Sequence, residues 1–494
     1  MIKWLKQKLV LTIFVCASCL ASSAQQISKL QMTQVKRGYG MFIHFGLNTF
    51  NQIEWSDGKL PLSSYNPDRL DPDSWVKIAK EAGFKYVILV TKHHEGFALW
   101  DSKYTDYDVA GTPVKTDVVA EVAKACKKYG LELGLYYSLW DRYEKTHDLK
   151  DPKPYVDFMK NQLTELLTNY GQVCELWFDG AWAKNDEDWN IPEVYKHIKS
   201  LQPNCLVTVN HTISIDGKPG TTRAPVDQQK GDKIRFWPVD FRSKDPNLAR
   251  WDDPKVFDHQ GKEVYLMFEH TLCLSNRWNW FQKRGNVPPR ELDELEELFY
   301  WTTANDNIMI LNVPPDEHGQ IKTLEKNRIF ELADRLGIRG GGKLPAGPTN
   351  LSFKMSAIPT NTSAGKGQEI TNINDYSLET YWTAGDSTTS VEIDLLETKA
   401  INRVSIFEQP NDINLPDGFS TLKKFHVKQF SVELLLNGKW ETVFMGDQIG
   451  ACKIIRLPNV FNTRKVRLNI LRSDAIPSIQ HIGISNDTQK KYRK

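Results

Sequence analysis

Seven short apolar runs in this chain end on residues that can move protons, hold hydroxyls or stack on rings. His44 closes YGMFIHF, with Glu54 and Trp55 in the loop beyond; His93, His94 and Glu95 follow YVILVT. Tyr137 and Trp140 end LELGLYY, and Asp179 closes VCELWF in the string Trp177-Phe178-Asp179-Gly180. Asn210 and His211 end LVTVN, Glu269 and His270 follow VYLMF, and Asn312 follows IMIL. One such residue could be a helix cap or a satisfied core group. Seven in register point to a shared polar pocket.

Several chemistries fail on spacing. No HxH pair, HExxH helix or cysteine ligand set is present, and adjacent histidines on an ideal strand point to opposite faces, so no metal site is expected. No G-x-S-x-G elbow marks a serine nucleophile, and no glycine loop marks a nucleotide. Carboxylates among Trp, Tyr and His remain. That is the equipment of glycoside hydrolysis, with one acid as nucleophile or base and one as proton donor. Neutral histidines then serve as partners for sugar hydroxyls, and no cofactor is called for.

The apolar runs alternate with amphipathic stretches at 73–82, 118–128, 154–169 and 191–201. Buried strands separated by helices mean an α/β fold, and seven or eight such units over 25–340 fit a (β/α)8 barrel. Residues 337–347, GIRGGGKLPAG, break the pattern; GGGK lacks the full phosphate-loop spacing, so 341–349 reads as a linker. From 350 to 494 the runs are short, alternating and β-rich (390–395, 404–407, 427–435, 440–445, 454–457 and 466–471), which predicts an all-β sandwich.

Residues 1–24 are a different object. Lys3, Lys6 and Lys8 precede an apolar stretch at 9–20, and Ser22-Ser23-Ala24 supply small residues for cleavage. This pattern is a secretory signal peptide, placing the mature chain in the periplasm or outside the cell. Lipidation at Cys19 is the weaker alternative, because Cys16-Ala17-Ser18 lacks the usual upstream aliphatic residue. The five remaining cysteines are scattered and odd in number, so no disulfide framework is expected. Sixty-three basic residues against 61 acidic ones argue against a nucleic-acid partner. No second apolar run reaches transmembrane length.

The strings GYGMFIHFG (38–46), KHHEGFALWDS (92–102), YYSLW (136–140), LWFDGAW (176–182) and NIMILNVPPDEHG (307–319) resemble glycoside hydrolase family 29, the α-L-fucosidases. The likeness covers about residues 30–340. It implies exo-acting release of L-fucose from a fucosylated oligosaccharide or glycoconjugate, through a covalent fucosyl-enzyme and without metal or organic cofactor. The family's nucleophile matches Asp179; its fucose-contacting residues match His44, His93, His94, Tyr137 and Trp177. The sequence departs from the family at Phe268-Glu269-His270 and Arg277-Trp278-Asn279-Trp280. The family's proton donor lies on a variable loop, here 236–256, which offers Asp240, Asp245, Asp252 and Asp253. Asp252 and Asp253 precede Pro254 and suit turn or capping roles. Asp245, in the freer stretch, is the favoured donor, with Asp240 and Glu269 as alternatives. A glycosidase for another galacto-configured sugar, or a sugar-binding protein without turnover, are the competing readings.

The C-terminal region resembles a discoidin-type (coagulation-factor type C) sandwich through Asn374-Asp375, Glu379-Thr380-Tyr381-Trp382, 391–395 and Val466-Arg467-Leu468. Such a module implies either glycan binding or support for the barrel.

Overall fold

The computed structural model describes residues 26–488, apart from 219, 276–277, 279, 282–287, 364 and 415–420. The leader at 1–24 lies outside the described residues.

Eight parallel strands form the barrel: β1 (Tyr39–Ile43), β2 (Tyr86–Lys92), β3 (Glu132–Ser138), β4 (Val173–Asp179), β5 (Leu206–Val209), β6 (Arg242–Ser243), β7 (Phe268–Cys273) and β8 (Ile308–Asn312). Their order is β5-β4-β3-β2-β1-β8-β7-β6. The ring closes between β5 and β6 through a parallel bridge from Asn210 to Ser243 and a hydrogen bond from Thr208 Oγ1 to Phe241 O (2.9 Å). Along each strand, one parity faces the barrel interior and the other faces the helices. On β3 this puts Leu133, Leu135 and Tyr137 in the outer apolar layer and Tyr136 in the inner one.

Before β1, helix α1 (Lys29–Arg37) starts from a Ser28–Gln31 capping box. Helices α2 (Pro72–Glu81), α3 (Val118–Tyr129), α4 (Lys153–Asn169), α5 (Ile191–Leu201), α6 (Leu292–Thr303) and α7 (Thr323–Leu336) follow β1, β2, β3, β4, β7 and β8. Asp71 and Asp117 cap α2 and α3 by accepting from Ser74 N (3.0 Å) and Ala120 N (2.8 Å). Among the described residues no α-helix follows β5 or β6, only a 3-10 turn at Pro225–Asp227. Short strands fill those connections, including an antiparallel pair, Val256–His259 with Lys262–Tyr265. The run VYLMF is therefore not one strand. Its first half belongs to that pair, and its last residue opens β7, so Glu269 begins a barrel strand instead of following one.

The C-terminal region is an all-β sandwich, with β9 (Thr389–Glu408), β10 (Val427–Leu436), β11 (Lys439–Gly446), β12 (Lys453–Ser473) and β13 (Ser478–Ser485) as its main strands. Runs expected as separate strands are continuous. β9 and β12 are 20 and 21 residues long and change register twice, between Asp394 and Lys399 and between Ile401 and Arg403. At such irregularities a strand bends. The first half of β9 lies between Ser356–Pro359 and β12, its second between β12 and β13. Trp382, Phe430, Ile455 and Ile482 fill the interior.

Helix α6 joins the two domains. Asp293 accepts from Ile454 N (3.0 Å), Glu296 holds Arg456 (2.5 and 2.6 Å), and Glu297 takes Arg403 together with Ser405 Oγ (2.9 Å). Phe407 and Ile454 of the sandwich pack into the barrel's apolar layer.

Candidate active site

A cavity of about 410 Å³ opens where the barrel strands end, which is the catalytic face of this architecture. Asp179 and Asp245 stand in it, with His44, His93 and His94, and with Glu54, Trp55 and Trp182 toward the mouth.

Asp179 is the last residue of β4 and is 6% exposed. Tyr136 OH donates to its Oδ2 (2.9 Å), and Asn210 Nδ2 donates to its Oδ1 (2.9 Å). Gly180 then turns the chain at φ 77°, and a Cβ there would meet Trp140 Cβ at 2.7 Å, so only glycine fits behind this carboxylate. Asn210 Nδ2 also donates to Asp245 Oδ1, while Asn210 Oδ1 accepts from His211 N (3.0 Å) and Asp245 N (3.3 Å). One amide thus ties both acids to the end of β5. Burial, and then the charge of Asp179, raise the Asp245 carboxyl to about 7. Burial likewise raises Glu54.

His44, His93 and His94 are pinned through Nδ1. His44 Nδ1 lies 3.0 Å from Asn312 Oδ1, His93 Nδ1 3.3 Å from Glu95 Oε2, and His94 Nδ1 2.7 Å from Ser138 Oγ. Ser138 spends its own proton on Trp140 O (2.6 Å), so His94 Nδ1 is the donor. Burial, followed by His93, lowers His44 to about 3 and His94 well below the ordinary imidazole value. Both rings are neutral at physiological pH and keep an Nε2 lone pair to accept from a hydroxyl. His94 Nε2 lies 3.7 Å from Asp179 Oδ2. The expectation that His93 and His94 diverge does not hold. β2 ends at Lys92 and a turn follows, so both rings face the cavity with centroids 4.1 Å apart.

Four expected site residues lie elsewhere. Tyr137 faces the helices, donating to Gln162 Oε1 (2.7 Å) and accepting from Lys92 Nζ (2.9 Å). Trp177 stacks on Tyr136 (5.7 Å) inside the barrel, beneath the cavity. Asp240 is bound to Lys199 Nζ (2.9 Å), Tyr195 OH (3.0 Å) and Val207 N (2.8 Å), near the start of β5. Glu269 is in the barrel interior, taking Gln34 Nε2 (2.8 Å) and Tyr86 OH (3.1 Å). Burial and neighbouring Glu175 raise its carboxyl well above the ordinary range, but it lines no part of the cavity. Asp253 is in an ion pair with Arg242 and Lys255 (2.7 Å), anchoring the loop that carries Asp245.

Sequence reasoning missed Tyr136 as a site residue, and it named Asn210 and His211 without assigning them work. Trp182, 38% exposed, stands 5.4 Å from the rings of both His94 and His211 and 6.0 Å from Trp55, which is 49% exposed. Together they make an aromatic rim of the kind that packs against sugar faces. Among the described residues, no group of three or more His, Cys, Asp or Glu is disposed to hold a metal.

Comparison with known proteins gives the family. The family profile described as alpha-L-fucosidase matches residues 58–341. Alpha-L-fucosidase 1 of Arabidopsis thaliana is 29% identical over 460 residues, covering 90% of this chain and 85% of that protein. Plasma alpha-L-fucosidase of Homo sapiens is 36% identical over 341 residues, covering 61% and 66%. A crystal structure of a glycoside hydrolase 29 family member from an unknown rumen bacterium superposes with TM-score 0.55 at 25% identity, covering 94% of this chain and 77% of that one. With two acids held at the mouth of a closed barrel, and a profile match spanning more than half of its length, the chain belongs to the alpha-L-fucosidase family of glycoside hydrolases.

Proposed function

We propose that this chain is an exo-acting, retaining α-L-fucosidase in which Asp179 is the nucleophile and Asp245 the acid/base. The observation that carries it is the single Asn210 nitrogen to which both carboxylates bond. Two oxygens that share one donor nitrogen lie within about 6 Å of each other by ordinary hydrogen-bond lengths. Retaining enzymes place their acids about 5–5.5 Å apart, whereas inverting enzymes leave room for a water at about 6.5–9.5 Å.

In the first step Asp179 Oδ attacks the anomeric carbon, the glycosidic C–O bond breaks, and the proton of Asp245 passes to the departing oxygen. Asp245, now a carboxylate, takes a proton from water as that water attacks the same carbon, and Asp179 is released. The neutral imidazoles of His44 and His94 accept from fucose hydroxyls, while Trp55 and Trp182 offer apolar faces to the sugar. A slow 2-fluoro-fucosyl donor should leave its label on the peptide containing Asp179, and the first sugar released should keep the α configuration by NMR. Labelling of another acid, or initial release of the β anomer, would refute the assignment.

The leader at 1–24 supports export of the mature chain to the periplasm or medium, which N-terminal sequencing at Gln25 tests. We further assign the sandwich to the discoidin type on the strength of its sequence strings, with support of the barrel as its first role.

A further inference from the structure

A second cavity, of about 290 Å³, lies between the barrel and the sandwich. Pro246, the residue after Asp245, borders both this cavity and the catalytic one. Arg290 and Glu294 face it from the barrel; Phe407, Glu408, Lys423 and Gln480 face it from the sandwich. Two of its acids are incompletely satisfied. Glu294, 5% exposed, gives Oε1 to Arg290 but has no partner for Oε2 among the described residues. Glu408, 1% exposed, accepts His426 N and Val427 N (3.0 Å) on Oε1 and likewise leaves Oε2 without a partner. A buried acceptor left bare costs about 1–3 kcal/mol. A metal is a poor candidate, since no described group of three or more potential ligands is disposed to hold one. The aromatic face of Phe407, the Gln480 amide, the Lys423 ammonium and the carboxylates of Glu379 and Asp412 together suit a ring with many hydroxyls.

We propose that this interdomain cavity is a saccharide subsite for the leaving group, so that the sandwich helps select the oligosaccharide. The inference rests on the proposed role of Asp245. A proton donor must face the glycosidic oxygen, and the aglycone therefore extends from Asp245 past Pro246, toward the gap between the domains. An aryl fucoside stops short of the cavity; a fucosylated oligosaccharide enters it.

The test compares wild type with Lys423→Ala and Gln480→Ala on 4-nitrophenyl α-L-fucoside and on fucosylated tri- and tetrasaccharides. It also titrates the matching defucosylated oligosaccharides by calorimetry. The expected result is a roughly tenfold loss of kcat/KM on the oligosaccharides with none on the aryl substrate, and weakened product binding. Melting temperatures check that both variants fold, and Gln480→Ala carries the test if Lys423→Ala does not. Equal losses on both substrate types, or no change on either with product binding intact, would overturn the subsite. If wild type releases fucose from neither substrate, the catalytic reading falls, and the titration alone decides whether the cavity holds sugar.

Discussion

Asp179 and Asp245 accept from the same Asn210 nitrogen, and burial together with the charge of Asp179 raises the Asp245 carboxyl to about 7. A general acid works only while protonated, so kcat/KM for oligosaccharides should fall as pH rises through about 7. In Asp245→Asn that alkaline limb should vanish. Activity on poor leaving groups should drop by a factor on the order of 10²–10⁴, with a far smaller loss on activated aryl fucosides. Azide should restore the latter. A uniform loss on both substrate types would pass the donor role to Glu54, the other cavity acid raised by burial.

Tyr136 and Tyr137 separate function from support. Tyr136→Phe keeps the ring between Phe42 and Trp177 and removes only the bond to Asp179. A hydrogen bond to a charged group is worth about 1.5–3 kcal/mol, so kcat should fall roughly 10- to 100-fold with melting unchanged. Tyr137→Phe should do the reverse. It strips a partner from Lys92 and Gln162, costing about 1–3 kcal/mol of stability with kcat retained. Steady-state kinetics beside thermal melts distinguish the two.

Chelation is expected to leave turnover unchanged. Two carboxylates suffice for the chemistry, and His44 and His94 are committed through Nδ1 to Asn312 and Ser138. Prolonged dialysis against EDTA, followed by assay with and without zinc or calcium, checks this; activity recovered only on adding metal would contradict it.

The domain interface should be sensitive to Arg403. Burial by itself raises Glu297, but Arg403 and Ser405 reverse that and leave its carboxyl below the ordinary value. Arg403→Met leaves a buried carboxylate without its cation, a loss of about 3–5 kcal/mol. A depressed folded pKa contributes stability at pH above the unfolded value, and that contribution disappears as pH falls through the folded one. The gap in melting temperature between wild type and variant should therefore be wide at pH 7 and shrink in acid below the usual glutamate range.

The barrel, the sandwich and Asp179 were legible because each has a strong local signal: continuous apolar runs, alternating short strands, and an acid at a strand's end. Side-chain direction was harder, since moving one position along a strand reverses the face. On β3 the clue was present: Leu133 and Leu135 face the helices, Tyr137 shares their parity, and Tyr136 has the other. Glu269 was misplaced for a different reason. VYLMF is apolar throughout and carries no mark of the break between the antiparallel pair and β7, which only tertiary pairing defines. Asp240 has no signature either, because its partners Tyr195 and Lys199 belong to a helix far away in sequence.

The two acids ride on supports of unequal stiffness. Asp179 ends a seven-residue strand laddered on both sides, by β3 and β5. Asp245 follows a two-residue strand at the seam where the ring closes, on a stretch without a covering α-helix. An insertion or exchange at the seam can therefore move Asp245 while Asp179 keeps its place. In the proposed mechanism this separates what must stay fixed, the approach to the anomeric carbon, from what can be retuned for a new glycan.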